Sequence, residues 1–157
     1  MKIILLASGK TVDKGLAAMI AAYADRISHY CSFEMSELPA LKNTKAMSEA
    51  EQKEREGRQL LSAMETNDHV VLLDEKGIQP TSEEFAGQIS AYMQRGIKRL
   101  VFVIGGPYGF DTKVYARAQA KMSLSRMTFS HQMVRLIFTE QLYRAFTIIK
   151  GEPYHHS

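Results

Sequence analysis

The sequence predicts an α/β fold with a largely parallel sheet covered by helices on both faces. Three observations predict it. Short apolar runs that read as strands alternate with segments of helical period along the first two thirds of the chain. The run Leu100-Val-Phe-Val-Ile104 is apolar at every position, as a strand buried on both faces must be. The length of 157 residues, 45% of them hydrophobic and 24% charged, suits one domain, residues 1–157, with a single core. Parallel neighbours need crossover connections, and helices placed between strands supply them.

Lys2 to Ser8 is a short branched run ended by Gly9, and forms the first strand. From Asp13 to Ser28, Leu16, Met19, Ile20, Tyr23 and Ile27 recur at helical spacing, which predicts an amphipathic helix packed on that strand. Cys31 to Leu38 is a second strand closed by Pro39, and Ala40 to Ala46 has the composition of a mobile connection. Ser48-Glu-Ala-Glu51 is a capping-box signature, hydroxyl and carboxylate three residues apart, and it opens a charged helix to about Met64. His69 to Asp74 is the third strand. Thr81-Ser-Glu-Glu84 repeats the signature before a helix to about Gln94, and Leu100 to Ile104 is the fourth strand. A last helix starts with Ser130 as its cap and stops at Gly151, a residue suited to a left-handed C-terminal cap; the tail Glu152 to Ser157 follows.

Composition narrows the function. The opening Met-Lys-Ile-Ile-Leu-Leu-Ala-Ser is too short for a signal-peptide core or a membrane span and precedes no cleavage pattern, so a cytoplasmic protein is expected. Cys31 stands alone, which rules out an internal disulfide or a Cys-based zinc site within one chain, and it is expected to be a buried small hydrophobe. The net charge of +3 hides an asymmetry: residues 1–94 carry 10 Lys/Arg against 14 Asp/Glu, and residues 95–157 carry 10 against 3. A basic half on an otherwise acidic chain suits a polyanionic partner.

Four segments could carry chemistry. Gly105-Gly106-Pro107-Tyr108-Gly109 follows the fourth strand, at the sheet edge where open α/β folds bind ligands. Its spacing is neither the dinucleotide fingerprint nor a phosphate-binding P-loop; a plain tight turn is the alternative. In Ser123-Leu-Ser-Arg-Met-Thr-Phe-Ser-His131 a short strand-like piece passes through hydroxyl residues into the last helix, and the loop could read an adenine edge or a ribose through its main chain, or serve capping alone. The last helix sets His131, Arg135, Arg144 and Lys150 among Met133, Val134, Ile137, Phe138, Leu142, Ala145 and Ile148; that apolar width predicts a subunit interface, and His131 is expected to cap or pack. Tyr154-His155-His156 could supply a proton acceptor or form a loose end, and without further ligands the histidine pair makes no metal site.

Taken together and in order, Leu72-Leu73-Asp74, Ile104-Gly105-Gly106-Pro107-x-Gly109, Ser123-Leu-Ser-x-Met-Thr-Phe-x-His131, Glu140-Gln-Leu-Tyr-Arg-Ala145 and Pro153-Tyr154-His155 make a pattern that resembles the ribosomal RNA large subunit methyltransferase H family over essentially the whole length. The resemblance implies a SPOUT-type α/β/α sandwich with a C-terminal trefoil knot, a feature the general rules of chain connection would not suggest. It also implies a homodimer that uses S-adenosyl-L-methionine, and no metal, to methylate the N3 nitrogen of a pseudouridine in the 23S rRNA of the assembled ribosome, with neither DNA nor a membrane as partner. Carried over by position, the donor site corresponds to Leu73, Gly105 and Leu124, Ser125, Arg126, Met127, Thr128 and Phe129. Arg144, Tyr154 and His155 correspond to the residues nearest the target base, Arg144 stabilising negative charge and Tyr154 or His155 assisting proton removal or orienting the base.

Two other readings compete. A ribosome-binding factor without catalysis would share the basic half and the RNA partner but need no donor pocket. A nucleotide-dependent oxidoreductase is disfavoured by the missing glycine fingerprint.

Overall fold

The computed structural model describes residues 1–156. Its elements in chain order are β1 (Lys2–Ser8), α1 (Lys14–Ile27), β2 (Ser32–Leu38), α2 (Glu49–Ser62), β3 (His69–Ile78), α3 (Ser82–Gln94), β4 (Arg99–Ile104), α4 (Thr112–Arg117), β5 (Ala120–Met122) and α5 (His131–Lys150). The strands form one sheet in the order β2-β1-β4-β3-β5, and every pairing is parallel. Two elements go beyond the four strands and the helices expected: α4, capped by the Asp111 carboxylate, and the three-residue β5 at the sheet edge, which ends at Met122, so the strand-like piece expected in Ser123 to His131 is a loop and the strand lies just before it.

Alternation along the central strands divides the core into two layers. Ile3, Leu5 and Ala7 of β1 and Leu100, Phe102 and Ile104 of β4 face α1, α3 and α5. Ile4, Leu6, Val101 and Val103 face α2 and α4. Successive residues of a strand point to opposite faces, so a strand apolar at every position supplies both layers. Phe102 and Phe138 meet with ring centroids 4.7 Å apart, which centres α5 on the first layer. Full burial of one such side chain contributes roughly 1.5–3 kcal/mol.

Local chemistry sets the helix ends. Thr81 accepts from the Glu84 amide while the Glu84 carboxylate accepts from the Thr81 amide, so that capping box is complete. The one expected at Ser48 is half formed: the hydroxyl accepts from the Glu51 amide, but the Glu51 carboxylate pairs with Arg55 one turn on. An exposed i,i+4 partner outcompetes the return bond there. Gly151 ends α5 at φ +69°, the left-handed cap expected of it. The connection after Pro39 carries a short 3-10 turn, Thr44–Ala46. Cys31 is half-buried, and burial pushes its thiol up to about 11.

Candidate active site

Because all strands run the same way, the segments that follow them gather at one edge of the sheet. There a cavity of about 450 Å³ opens between the end of β3, the glycine loop after β4, the hydroxyl loop after β5 and the start of α5. Leu73, Gly105, Leu124, Ser125, Met127, Thr128 and Phe129 line it. Arg126 is exposed, and its side chain is not part of that lining. Seven of the eight positions carried over as donor-binding thus surround one space.

Backbone geometry explains the loop compositions. The Gly109 amide donates to the Gly106 carbonyl at 3.2 Å and closes the turn. A Cβ on Gly106 would lie 2.0 Å from Oε2 of Glu56, so only glycine lets this loop lie against α2. In the hydroxyl loop, the buried Ser123 donates to the Ser125 carbonyl at 3.0 Å, and the Ser125 hydroxyl accepts from the Met127 amide at 2.9 Å. Its serines therefore shape the main chain, and Ser130 caps α5 by accepting from Met133. At the third wall, Tyr115 donates to Asp74 at 2.6 Å; burial first, and that carboxylate second, push its hydroxyl up to about 12. The result is a cleft of apolar side chains and main-chain groups with Asp74 and Glu75 at its rim, a lining suited to a flat heterocycle that bears a positive charge nearby.

The second predicted group assembles elsewhere. Arg144 pairs with Glu140 at 2.6 Å and lies over the Tyr154 ring, 4.7 Å from its centroid. The Tyr154 hydroxyl donates to Glu140 at 3.0 Å. One ring nitrogen of His155 lies 3.2 Å from Arg144 and the other 2.8 Å from Glu83. Burial, followed by the hydrogen bonds to Tyr23 and Glu140, raises the Tyr154 hydroxyl above the usual phenol range. The tail is therefore folded back on α3 and α5 by named contacts; Ser157 lies outside the described residues. Arg144, Tyr154 and His155 come together, but none of them lines the cavity. Arg144 is ten residues beyond Val134, the last cavity residue on α5, or about 15 Å along the helix.

His131 is exposed on the cavity wall, its Nδ1 3.4 Å from the Gly105 carbonyl oxygen, while the capping role belongs to its neighbour Ser130. Sequence reasoning missed Glu56 and the burial of Arg135. Glu56 is 8% exposed and Arg135 1%. Arg135 donates to the Ser8 and Gly9 carbonyls, the Thr11 hydroxyl and the Glu37 carboxylate, tying the start of α5 to the ends of β1 and β2. Glu56 stands one turn before Leu60 on the inward stripe of an otherwise polar helix, which was the available signal.

The basic half is less free than its sequence implies. Arg99 pairs with the buried Asp68, Arg117 donates to the Glu65 and Asp68 carbonyls, and Arg135 and Arg144 are engaged as above. The apolar width of α5 also has an internal use: Phe138, Leu142, Ala145 and Phe146 belong to the core, and Val134 and Ile148 pack against it. Met133 is exposed.

The family model described as "predicted SPOUT methyltransferase" matches residues 1–155. A protein of Christiangramia forsetii named ribosomal RNA large subunit methyltransferase H is 58% identical over 156 residues, 99% of each chain. Proteins of the same name from Phocaeicola vulgatus and Flavobacterium johnsoniae are 55% and 52% identical, again over 99% of each chain.

Proposed function

The chain belongs to the SPOUT methyltransferase family, and on that premise we propose that it transfers a methyl group from S-adenosyl-L-methionine to the N3 nitrogen of a pseudouridine in 23S rRNA, as a homodimer acting on assembled ribosomes. The observation that carries this reading is the convergence of β3's end, the glycine loop and the hydroxyl loop on one cavity, in a chain more than half identical to a protein named for that class of reaction. The family's trefoil knot belongs to the same proposal.

The cavity fits the donor. The main chain of Leu124–Phe129 presents an edge for a purine, Gly105 and Gly106 allow close approach, and Asp74 and Glu75 supply negative charge near a sulfonium. Bound there, S-adenosyl-L-methionine supplies a methyl group already activated by its positive sulfur. The protein's remaining work is to align the base, remove the N3 proton and stabilise the resulting anion. Arg144 carries the positive charge for that last task. Tyr154 keeps its proton, because its hydroxyl is raised, and so serves as a donor that orients the base. His155 is then the group that accepts the proton, once its contacts to Arg144 and Glu83 open.

Distance supports the homodimer. Arg144 lies about 15 Å along α5 from the last cavity residue, a separation that favours one protomer's cavity working with the other protomer's Arg144, Tyr154 and His155. Val12, Ile78, Tyr108, Met127 and Met133 are exposed in the segments at the same edge of the sheet, where a second copy would cover them.

The test is transfer of labelled methyl from S-adenosyl-L-methionine to ribosomes lacking the modification, followed by nucleoside analysis of the large-subunit RNA. Label in N3-methylpseudouridine is expected. No label despite measured donor binding would refute the acceptor assignment, and absence of donor binding would favour the ribosome-binding factor. Deleting Pro153 to Ser157 should spare donor affinity and abolish transfer; lost affinity would refute the division between pocket and tail.

A further inference from the structure

We propose that the smaller cavity across the glycine loop receives the acceptor base, and that the buried carboxylate of Glu56 reads that base's second ring N–H. This inference rests on the reaction proposed above and names a residue that selects its substrate.

The cavity measures about 290 Å³ and lies between the end of β1, the connection after β2, α2 and the start of α5. It shares Ile104, Gly105, Gly106, Pro107 and His131 with the donor cavity, so ligands in the two would be neighbours across one loop. Ala7, Ala40, Leu41 and Pro107 give it apolar walls. Among its polar groups, Arg135 is already committed to Glu37 and the β1 carbonyls.

Glu56 is the exception. Its Oε1 accepts from the Gln52 amide at 3.0 Å, while its Oε2 is buried without a hydrogen-bond donor. No cation pairs with it among the described residues. A carboxylate oxygen so placed is costly for the fold, and a leucine would fill the same volume without that cost. The unmet need is for an N–H, because an ionised carboxylate can only accept.

Pseudouridine meets that need in a way uridine cannot. Its ring is joined to the sugar through carbon, so both ring nitrogens carry hydrogen: N3, which is methylated, and N1, which is left over. In uridine N1 holds the sugar and has no hydrogen. A site built around a substrate N–H discriminates strongly against the analogue that lacks it, because its own buried oxygen is then left unpaired.

Charge at the mouth supports the direction of approach. Lys10, Lys42 and Lys45 are exposed on the two connections that frame the cavity, and none is in an ion pair among the described residues. Those connections touch: a Cβ on Gly9 would lie 3.6 Å from that of Ala40. They offer phosphate contacts beside the cavity mouth.

The test compares kcat/KM on two ribosome preparations, one with pseudouridine and one with uridine at the target, for the wild-type protein, Glu56→Gln and Glu56→Leu. The wild type should prefer pseudouridine by about 100-fold or more. Glu56→Gln should lower that ratio at least about tenfold, and Glu56→Leu should bring it near unity, with donor affinity by calorimetry unchanged within about twofold. If Glu56→Leu does not fold, the isosteric Gln variant decides alone. An unchanged ratio overturns the proposal, as does a tenfold loss of donor affinity, which would make Glu56 a support for the glycine loop. A wild type that methylates both preparations equally also overturns it while leaving the reaction standing, whereas a wild type active on neither removes the underlying reading.

Discussion

Gly106→Ala tests whether the glycine loop is held in place by contact with α2. The new Cβ would sit 2.0 Å from Oε2 of Glu56 and 2.8 Å from its Cδ, so the pair must separate by about 1 Å or more to reach ordinary contact. Glu56 is 8% exposed and its other oxygen is held by Gln52, so the carboxylate must give up that packing or the loop must move, and the loop is a wall of the donor cavity. Overpacking of this kind costs about 1–3 kcal/mol. Expressed in donor binding at 1.4 kcal/mol per tenfold, that is a loss of roughly 5- to 150-fold. Calorimetric titration with S-adenosyl-L-methionine measures it, with thermal unfolding in parallel to catch strain taken up by the fold. The cause is isolated by adding Glu56→Ala, which empties the colliding volume: the double variant should bind the donor better than Gly106→Ala alone, by about 1 kcal/mol. Unchanged affinity and stability in Gly106→Ala, or strict additivity in the double variant, would refute the reasoning.

Arg135→Met leaves the Ser8 and Gly9 carbonyls and the Glu37 carboxylate without their shared donor, and should cost about 3–5 kcal/mol in a urea titration; a loss under 1 kcal/mol would show that water replaces the clamp. Thr81→Ala removes one half of a complete capping box and disables the other, whereas Ser48→Ala removes a single bond. The first should therefore be the more destabilising, at about 1–2 kcal/mol against about 0.5–1, and equal losses would contradict the reciprocal geometry. Mixing the tail-deleted protein with Gly106→Ala, after exchange of subunits, should raise methyl transfer above that of either protein alone at donor concentrations too low to saturate Gly106→Ala. Mixtures no more active than either protein alone, despite demonstrated exchange, would place pocket and tail in the same protomer.

How much of the fold was legible depended on whether an element carried its own periodicity. β1, β4, α1, α3 and α5 lie within a residue or so of where their patterns put them, because each presents apolar spacing over at least a full strand or several turns. α4 and β5 were not read: six and three residues are too short for a period to show, and β5 is defined by its pairing with Val71, Leu72 and Leu73 rather than by its own Ala-Lys-Met. β3 runs on to Ile78 through Asp74, Glu75, Lys76 and Gly77, a polar stretch that propensity assigns to a turn. Tertiary pairing overrode it, with Ile78 bonded to β5 and to the Ser123 amide.

The site was legible by the same criterion, applied to chemistry in place of period. Its glycine and hydroxyl loops announce themselves because close approach and local hydrogen bonding demand particular residue types, and the structure finds each type at that work in Gly106, Ser123 and Ser125. Charge was the less faithful guide. A count of arginines cannot distinguish one that awaits a phosphate from one that satisfies carbonyls, as Arg117 does, or one buried as a clamp, as Arg135 is. Nor can it reveal that a glutamate in a solvent-patterned helix turns its carboxylate inward beside the glycine loop. Burial changes what each charge is for: Arg99, Arg117 and Arg135 satisfy the fold, whereas the proposals above assign RNA contacts to exposed cations such as Lys10, Lys42 and Lys45 and the reading of the base to Glu56.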